Sequence, residues 1–154
     1  MVEEQNIQPK QTDYLNEWHE LRINLLLSAN WLRYEIKDLL EPFGLTIKQF
    51  NVLRILRGHK GDTDLSILEI KNKMIDKMSD TSRIIDRLCK KNLICKNACS
   101  MDKRSNRVEI TKEGLNLLDQ IEPVIDDFDK VVQGLSSEEA KQLSGLLRKL
   151  RGVV

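Results

Sequence analysis

The chain has 154 residues, which is the size of a single globular domain. Its 25 basic and 24 acidic residues nearly balance, and 40% of its residues are apolar, enough to form a core. Seven glycines and three prolines are few for this length, which favours long helices over a strand-rich barrel. The acidic first residues predict no signal peptide, and no apolar run approaches the ~20 residues that cross a bilayer. Composition therefore excludes a membrane protein and a secreted disulfide framework.

The first predicted helix is unusually long. Its apolar residues recur every three or four positions from about Asp13 until Pro42 and Gly44 end the helix. Such a stripe is longer than the core of a small domain, so we expect part of it to face a second chain. The alternative is that the helix lies across its own domain. The stripe consists of Tyr14, Trp18, Leu21, Leu25, Ala29, Leu32, Ile36 and Leu39.

Three shorter helices follow, each with a recognisable start. Thr46 with Gln49, and Ser66 with Glu69, have the spacing of a capping box, in which two side chains satisfy free amides at a helix start. The fourth helix is predicted to start with Ser79 as its N-cap and to end where Asn92 takes a left-handed conformation. The third and fourth helices, joined by a short turn, have the spacing of a helix-turn-helix, although an ordinary helical hairpin has it too.

Two short strands are predicted next, over residues 93–99 and 107–111, joined by a polar and cationic hairpin tip. Val108 and Ile110 should point to one face of this hairpin, because side chains alternate along a strand. A long helix is predicted from Lys112, and a last helix begins with a third capping box at Ser136 and Glu139.

Charge is unevenly distributed along the chain. Residues 83–107 carry eight basic and two acidic side chains, a net charge of +6, whereas the rest of the chain carries −5. A basic segment on an acidic body indicates a local contact with a polyanion, and a solvated charged face is the alternative.

The three cysteines, Cys89, Cys95 and Cys99, are an odd number, as expected of a reduced, cytoplasmic chain. No Cys-x-x-Cys pair occurs, and His19 and His59 lie at least 30 residues away, so we predict neither a zinc site nor a cofactor.

Two motifs in this order resemble the MarR family of bacterial transcription regulators. Residues 102–114 carry the family pattern D-x-R-x-x-x-V-x-L-T-x-x-G, with Ile110 in place of Leu. Residues 82–94 resemble the family's T-R-L-V-D-R-L-E-K-K-G-L-V, with Ser82, Cys89 and Asn92 as the departures that matter most. Asn tolerates the left-handed conformation, so the turn should survive that change. The resemblance extends over roughly residues 18–152.

The resemblance implies a mainly α fold with a small β-hairpin: a winged helix-turn-helix that forms a homodimer through its N- and C-terminal helices. Two recognition helices would then enter successive major grooves of a pseudo-palindromic operator in double-stranded DNA, most simply as a repressor. It also implies the following division: an N-terminal tail over 1–12, a single domain over 13–153, dimerisation helices over 13–41 and 112–153, a DNA-reading head over 45–111, a helix-turn-helix over about 66–91 and a wing over about 94–111.

Candidate DNA contacts follow from the helix faces and the wing. Arg83 is the best base reader, because a guanidinium can hold guanine O6 and N7 together. Arg104 corresponds to the family's wing arginine, which is expected in a narrow, A·T-rich minor groove. Asp86 and Asp102 are expected to orient arginines. The remaining predicted contacts, to phosphates or base edges, are Ser66, Ser79, Ser82, Arg87, Lys103 and Arg107.

Two ways of sensing a signal are suggested by the resemblance. A small aromatic or phenolic effector could bind at the aromatic residues of the family's pocket region, although these residues are equally suited to a core. Oxidation of Cys89, which has basic sequence neighbours that would lower a thiol pKa, is the other, although Cys89 also suits a small buried position. The aromatic residues are Trp18, Trp31, Tyr34, Phe43 and Phe50.

Other classes of protein fit less well. An enzyme would need a phosphate-binding glycine loop, a nucleophile elbow or a Cys–His pair, and the sequence has none of these motifs. A winged helix used only for protein contacts is the stronger rival, but it leaves the basic segment unexplained.

Overall fold

The computed structural model describes residues 14–59, 64–98 and 106–153. The predicted residues Cys99, Asp102, Lys103 and Arg104 lie outside these ranges. Within them the chain forms helices and three short strands in the order α1 (Glu17–Leu40), a 3₁₀ turn (Glu41–Phe43), α2 (Ile47–Arg57), β1 (Leu65–Ser66), α3 (Ile67–Lys73), α4 (Thr81–Lys90), β2 (Ile94–Ala98), β3 (Asn106–Ile110), α5 (Lys112–Lys130) and α6 (Ser137–Leu150).

The predicted capping boxes are confirmed. Thr46 Oγ1 accepts from the Gln49 amide at 3.2 Å, and Gln49 Oε1 accepts from the Thr46 amide at 3.1 Å. Ser66 with Glu69 begins α3 in the same way, and Ser136 with Glu139 begins α6. Each pair satisfies amides that a helix start leaves without an intrahelical partner.

The start of α4 differs from the prediction. Asp80, and not Ser79, is the N-cap, and its carboxylate accepts from the Arg83 amide at 3.2 Å. The prediction was wrong by one residue because Ser79 and Asp80 are both good capping residues. Only the tertiary contacts of Ser79, described below, decide between them.

The end of α4 is as predicted. Asn92 has a φ of 57°, and the Leu93 amide donates to the Leu88 carbonyl at 3.1 Å, the pattern of a Schellman end. The Thr111 hydroxyl donates to the Asn92 carbonyl at 2.7 Å. The turn after α4 is thereby joined to the start of α5.

The wing is a three-stranded antiparallel sheet in the order β1-β3-β2. The hairpin of β2 and β3 was predicted, and Val108 and Ile110 point into the core as expected. The strand β1 was missed, because it has only two residues, the second of which is the N-cap of α3, and two residues give no periodic signal. Leu65 pairs with Val108, so β1 joins the start of α3 to the wing.

Gly114 lets α5 lie close to the end of α4. A Cβ atom placed on Gly114 would lie 2.2 Å from the Leu93 carbonyl oxygen, a distance that no side chain can occupy. The last position of the motif over residues 102–114 is therefore explained by packing against the backbone.

The core lies in the middle of the chain. Every buried apolar side chain of the described residues falls between Leu40, the last residue of α1, and Ile121 of α5, and most come from α2 to α5 and the sheet. The boundary between two compact units falls within α1, after Tyr34, and the core belongs to the second unit. In the described ranges, no helix is both long and apolar enough to cross a membrane.

Candidate nucleic-acid interface

An open groove of about 660 Å³ lies between the start of α3 and the start of α4. It is lined by polar side chains, one lysine and exposed apolar side chains of both helices and the turn between them. The lining residues are Ile67, Leu68, Lys71, Met78, Ser79, Asp80, Thr81 and Ser82. Of the predicted contacts, the groove therefore brings Ser79 and Ser82 together, with Arg83 one residue beyond.

Asp76 organises the turn between α3 and α4. Its carboxylate accepts from the Met78 amide at 3.0 Å and from the Ser79 hydroxyl at 2.9 Å, and it pairs with Lys48 of α2 at 2.8 Å. These contacts lower the pKa of Asp76 to about 2, and the contact with Lys48 has the largest effect.

Ser79 serves this turn instead of facing solvent. Its side chain is only 6% exposed, and its hydroxyl proton is donated to Asp76. The expectation that Ser79 lies on the exposed face of the helix is therefore wrong. The reason is that Ser79 precedes the N-cap and points back toward the turn.

Asp80 and Arg83 form an ion pair at the start of α4. Asp80 Oδ2 lies 3.0 Å from Arg83 Nε, while Asp80 Oδ1 accepts from the Arg83 amide. The Arg83 side chain is 81% exposed and the Asp80 side chain 56%. Asp80 was not singled out from the sequence as a site residue, although residues three apart on a helix are neighbours and the spacing of Asp80 and Arg83 could have indicated this pair.

The remaining exposed face of α4 carries Ser82, Asp86 and Arg87. Asp86 was expected to orient an arginine. It pairs instead with Lys96 of β2, and this contact lowers the pKa of the Asp86 carboxyl. Lys96 was not singled out from the sequence, because its contact with α4 depends on how the strand packs.

Arg107 and Ser66 take part in one structural network. Arg107 Nη1 donates to the Asp64 carbonyl at 2.9 Å and to Glu69 Oε2 at 3.1 Å. Glu69 also accepts from the Ser66 amide at 2.7 Å, and the hydrogen bonds from Ser66, with a smaller effect of Arg107, lower its pKa. Both residues were predicted as DNA contacts. Their contacts here join β3 to the start of α3.

The aromatic residues of the candidate effector pocket have different surroundings. In α1, Trp18 is 70% exposed, and Trp31 and Tyr34 are also exposed. Phe50 is buried and meets Phe128 edge to face, with ring centres 5.7 Å apart, and Phe43 packs against the core. The alternative that these residues serve the core therefore holds for Phe50 and Phe43.

Cys89 and Cys95 are free, partly buried thiols. Burial raises the pKa of Cys89, and the opposing effect of Lys96 is smaller. Burial also raises the pKa of Cys95. The expectation that basic neighbours lower the Cys89 pKa was wrong, because it counted residues adjacent in sequence and ignored desolvation. Across the described ranges, no three His, Cys, Asp or Glu side chains gather as a metal site would require.

The comparisons with known proteins agree on one family. The MarR family model matches residues 45–105, which include α2 to α4 and the hairpin tip. The HTH-type transcriptional regulator MhqR of Bacillus subtilis is 31% identical over 108 residues, covering 70% of this chain and 72% of that protein.

Two solved structures share the fold. A mutant of MarR from E. coli, complexed with operator DNA, has a TM-score of 0.79 at 23% identity, covering 90% of this chain and 99% of that one. BpsR of Bordetella bronchiseptica, described with regulation of its DNA binding by 6-hydroxynicotinic acid, has a TM-score of 0.74 at 23% identity, with 86% and 98% covered. The predicted winged helix-turn-helix is thus confirmed, and members of the family are regulators, not enzymes. The chain belongs to the MarR family of transcriptional regulators.

Proposed function

We propose that this regulator is a repressor that binds a pseudo-palindromic operator as a homodimer, in the bacterial cytoplasm where such DNA lies. The observation that carries the proposal is the two-faced nature of α4. Thr81, Ile85 and Leu88 are buried, while Ser82, Arg83 and Arg87 face solvent next to an open groove. A short helix that exposes Arg83 in its first turn and Arg87 in its last turn is suited to a major groove.

Within this proposal, Arg83 contacts a guanine edge, and Ser82 and Arg87 contact phosphates or base edges. Arg104 and Lys103 of the hairpin tip extend the contact to the minor groove and its phosphates. The net charge of +6 over residues 83–107 supports a polyanionic partner over a neutral protein surface. Arg107 and Ser66 act mainly by holding the wing against α3.

The dimer is supported by apolar side chains that the chain leaves exposed at both ends. In α6 and the segments beside it, Leu135, Leu143, Leu146, Leu150 and Val153 are all exposed, and α6 has no buried residue. Such a surface on a single chain marks an interaction site. A second copy with two-fold symmetry would place two α4 helices about 34 Å apart, one turn of DNA.

We also propose that the exposed aromatic side chains of α1 contribute to an effector site, by analogy with the small aromatic acid in the description of BpsR. The two tryptophans of the chain, Trp18 and Trp31, both lie in α1, so intrinsic tryptophan fluorescence reports on this helix alone. Titration with simple hydroxybenzoic and nicotinic acids should quench it saturably. Unchanged fluorescence and unchanged DNA affinity would contradict this part of the proposal.

The main test is a binding titration. Duplexes selected by the protein from random DNA are measured by fluorescence anisotropy over a range of salt concentrations. If each half-site neutralises three to five phosphates, the slope of log K against log salt should be about −5 to −9 for the dimer. Replacing Arg83 by Ala should weaken binding, whereas the matched change Arg148→Ala in α6 should not.

Failure to enrich any sequence, together with affinity that does not depend on salt, would favour a winged helix used for protein contacts. A monomer in sedimentation at micromolar concentration would contradict the dimer.

A further inference from the structure

Both oxygens of one carboxylate, that of Asp80, are used by a single residue at the groove. One oxygen accepts from the Arg83 amide at 3.2 Å and caps α4, and the other pairs with Arg83 Nε at 3.0 Å. The carboxylate is therefore held by the helix backbone and in turn holds the guanidinium. An arginine side chain otherwise has several rotatable bonds, and fixing them on binding opposes affinity.

The contact through Nε leaves the other end of the guanidinium free. Among the described residues, Nη1 and Nη2 of Arg83 have no recorded partner. These two nitrogens form a planar fork of the width that guanine O6 and N7 present in the major groove. The arginine is thus tethered at one side and presents its donor pair outward.

The choice of an acidic cap is informative. Serine and asparagine cap a helix about as well as aspartate, so helix stability does not require a carboxylate here. A negative charge beside the groove repels phosphates and lowers the affinity for DNA of any sequence. The Asp80 side chain is 56% exposed, so its charge would repel the phosphates of DNA that approaches this surface. An acidic cap therefore weakens non-specific binding while it orders the arginine.

We infer that Asp80 is a positioning residue that holds Arg83 for guanine and thereby raises the ratio of specific to non-specific affinity. The inference rests on the proposed function, because it assumes that Arg83 meets base edges. The ligand group it implies is one guanine in each half-site.

The test uses the full-length protein carrying Asp80→Ser, which keeps a capping hydroxyl but cannot reach Arg83 Nε. Affinities are measured for a selected duplex, for the same duplex with single guanines replaced by 7-deazaguanine, and for a random-sequence duplex. Wild type should lose about 5- to 20-fold at one 7-deazaguanine position, because that base lacks the N7 acceptor. For Asp80→Ser, affinity for the selected duplex should fall about tenfold, the 7-deazaguanine effect should shrink below twofold, and affinity for random DNA should be unchanged or tighter.

Two further variants separate the inference from its rivals. In an Arg83→Ala background, Asp80→Ser should no longer weaken binding to the selected duplex, since Asp80 favours that duplex only through Arg83, and only the tightening caused by the lost charge should remain. Asp80→Asn, which also keeps the cap, should behave as Asp80→Ser does, and melting temperatures should stay within about 2 °C of wild type.

Equal weakening on selected and random DNA would overturn the inference, since it would show a structural role for Asp80. Equal strengthening on both would also overturn it, since only the charge would then matter. If wild type itself does not distinguish the selected from the random duplex, the proposed function fails, which is a different outcome from either.

Discussion

The middle of the chain and its last helix differ sharply in how they are stabilised. Between Leu40 and Ile121, helices α2 to α5 and the sheet bury a continuous apolar core, with Val52, Leu53 and Ile85 fully covered. Over residues 135–153 the apolar side chains are as regularly spaced, yet α6 has no buried residue. The same helical periodicity thus serves a core within the chain in the first region and leaves an exposed apolar surface in the second, which we propose as the dimer contact.

The largest effect should follow from a charge placed in the α6 surface. Leu146→Glu should shift the protein toward a monomer in sedimentation and weaken operator binding by more than 100-fold, because two linked half-sites would become separate ones. The circular dichroism spectrum should change little, since Leu146 is 64% exposed and is not one of the buried core residues. The matched change Gln142→Glu, on the same helix, should leave the dimer intact.

If Leu146→Glu leaves the dimer unchanged, the exposed apolar face of α6 is not the dimer contact. The contrast drawn here between the buried core and α6 would then lack its explanation.

A second prediction compares two glycines, one in each region. Gly114→Ala forces a Cβ against the Leu93 carbonyl, and the buried Ile110 side chain, with an atom 2.8 Å from that Cβ, leaves little room to relax. It should destabilise the protein by about 3 kcal/mol, the upper range for overpacking. Gly145 lies in α6 with open space around it, so Gly145→Ala should stabilise the helix by about 0.5–1 kcal/mol.

Urea denaturation, repeated at a low and a high protein concentration, measures both changes in the free energy of unfolding. If Gly145→Ala instead destabilises, and more so at high protein concentration, the partner helix approaches closely at that point, which would sharpen the account of the dimer. If Gly114→Ala leaves the free energy of unfolding unchanged, the start of α5 does not pack closely against the end of α4.

The smallest effect concerns the turn before α4. The pKa of Asp76 is about 2 in the folded protein against an ordinary 3.8, so its ionised form stabilises the native state above about pH 4. That contribution is lost as the pH falls from about 4 toward 2, because the unfolded chain takes up the proton first. The difference in melting temperature between wild type and Asp76→Asn should therefore be constant above pH 5 and narrow below pH 4.

Much of the fold could be predicted from the sequence, because its signals are local. Capping boxes, the left-handed Asn92 and the alternation of Val108 and Ile110 each depend on residues a few positions apart. The strand β1 could not be predicted, since two residues carry no pattern of their own and pair only once the hairpin is in place.

The candidate interface was predictable in outline and less so in its contacts. Arg83 is exposed where a base reader was expected. Arg107, equally basic, is instead engaged with Glu69, and Ser79 with Asp76. Whether a polar side chain faces DNA or its own neighbours depends on tertiary partners, and these contacts bring together residues from different elements or from either side of a turn.

The contacts between α4, α3 and the sheet have a consequence for the length of the operator. Asp86 ties the recognition helix to β2 through Lys96, while β1 and Arg107 tie the start of α3 to β3. These contacts join the helix to the wing strands, so we expect the proposed DNA contacts of the two to keep a constant separation within each half-site. In the proposed homodimer, any tolerance for operators of different length would come from the contact between the two copies, so target sites should vary at their centre and keep the spacing within each arm constant.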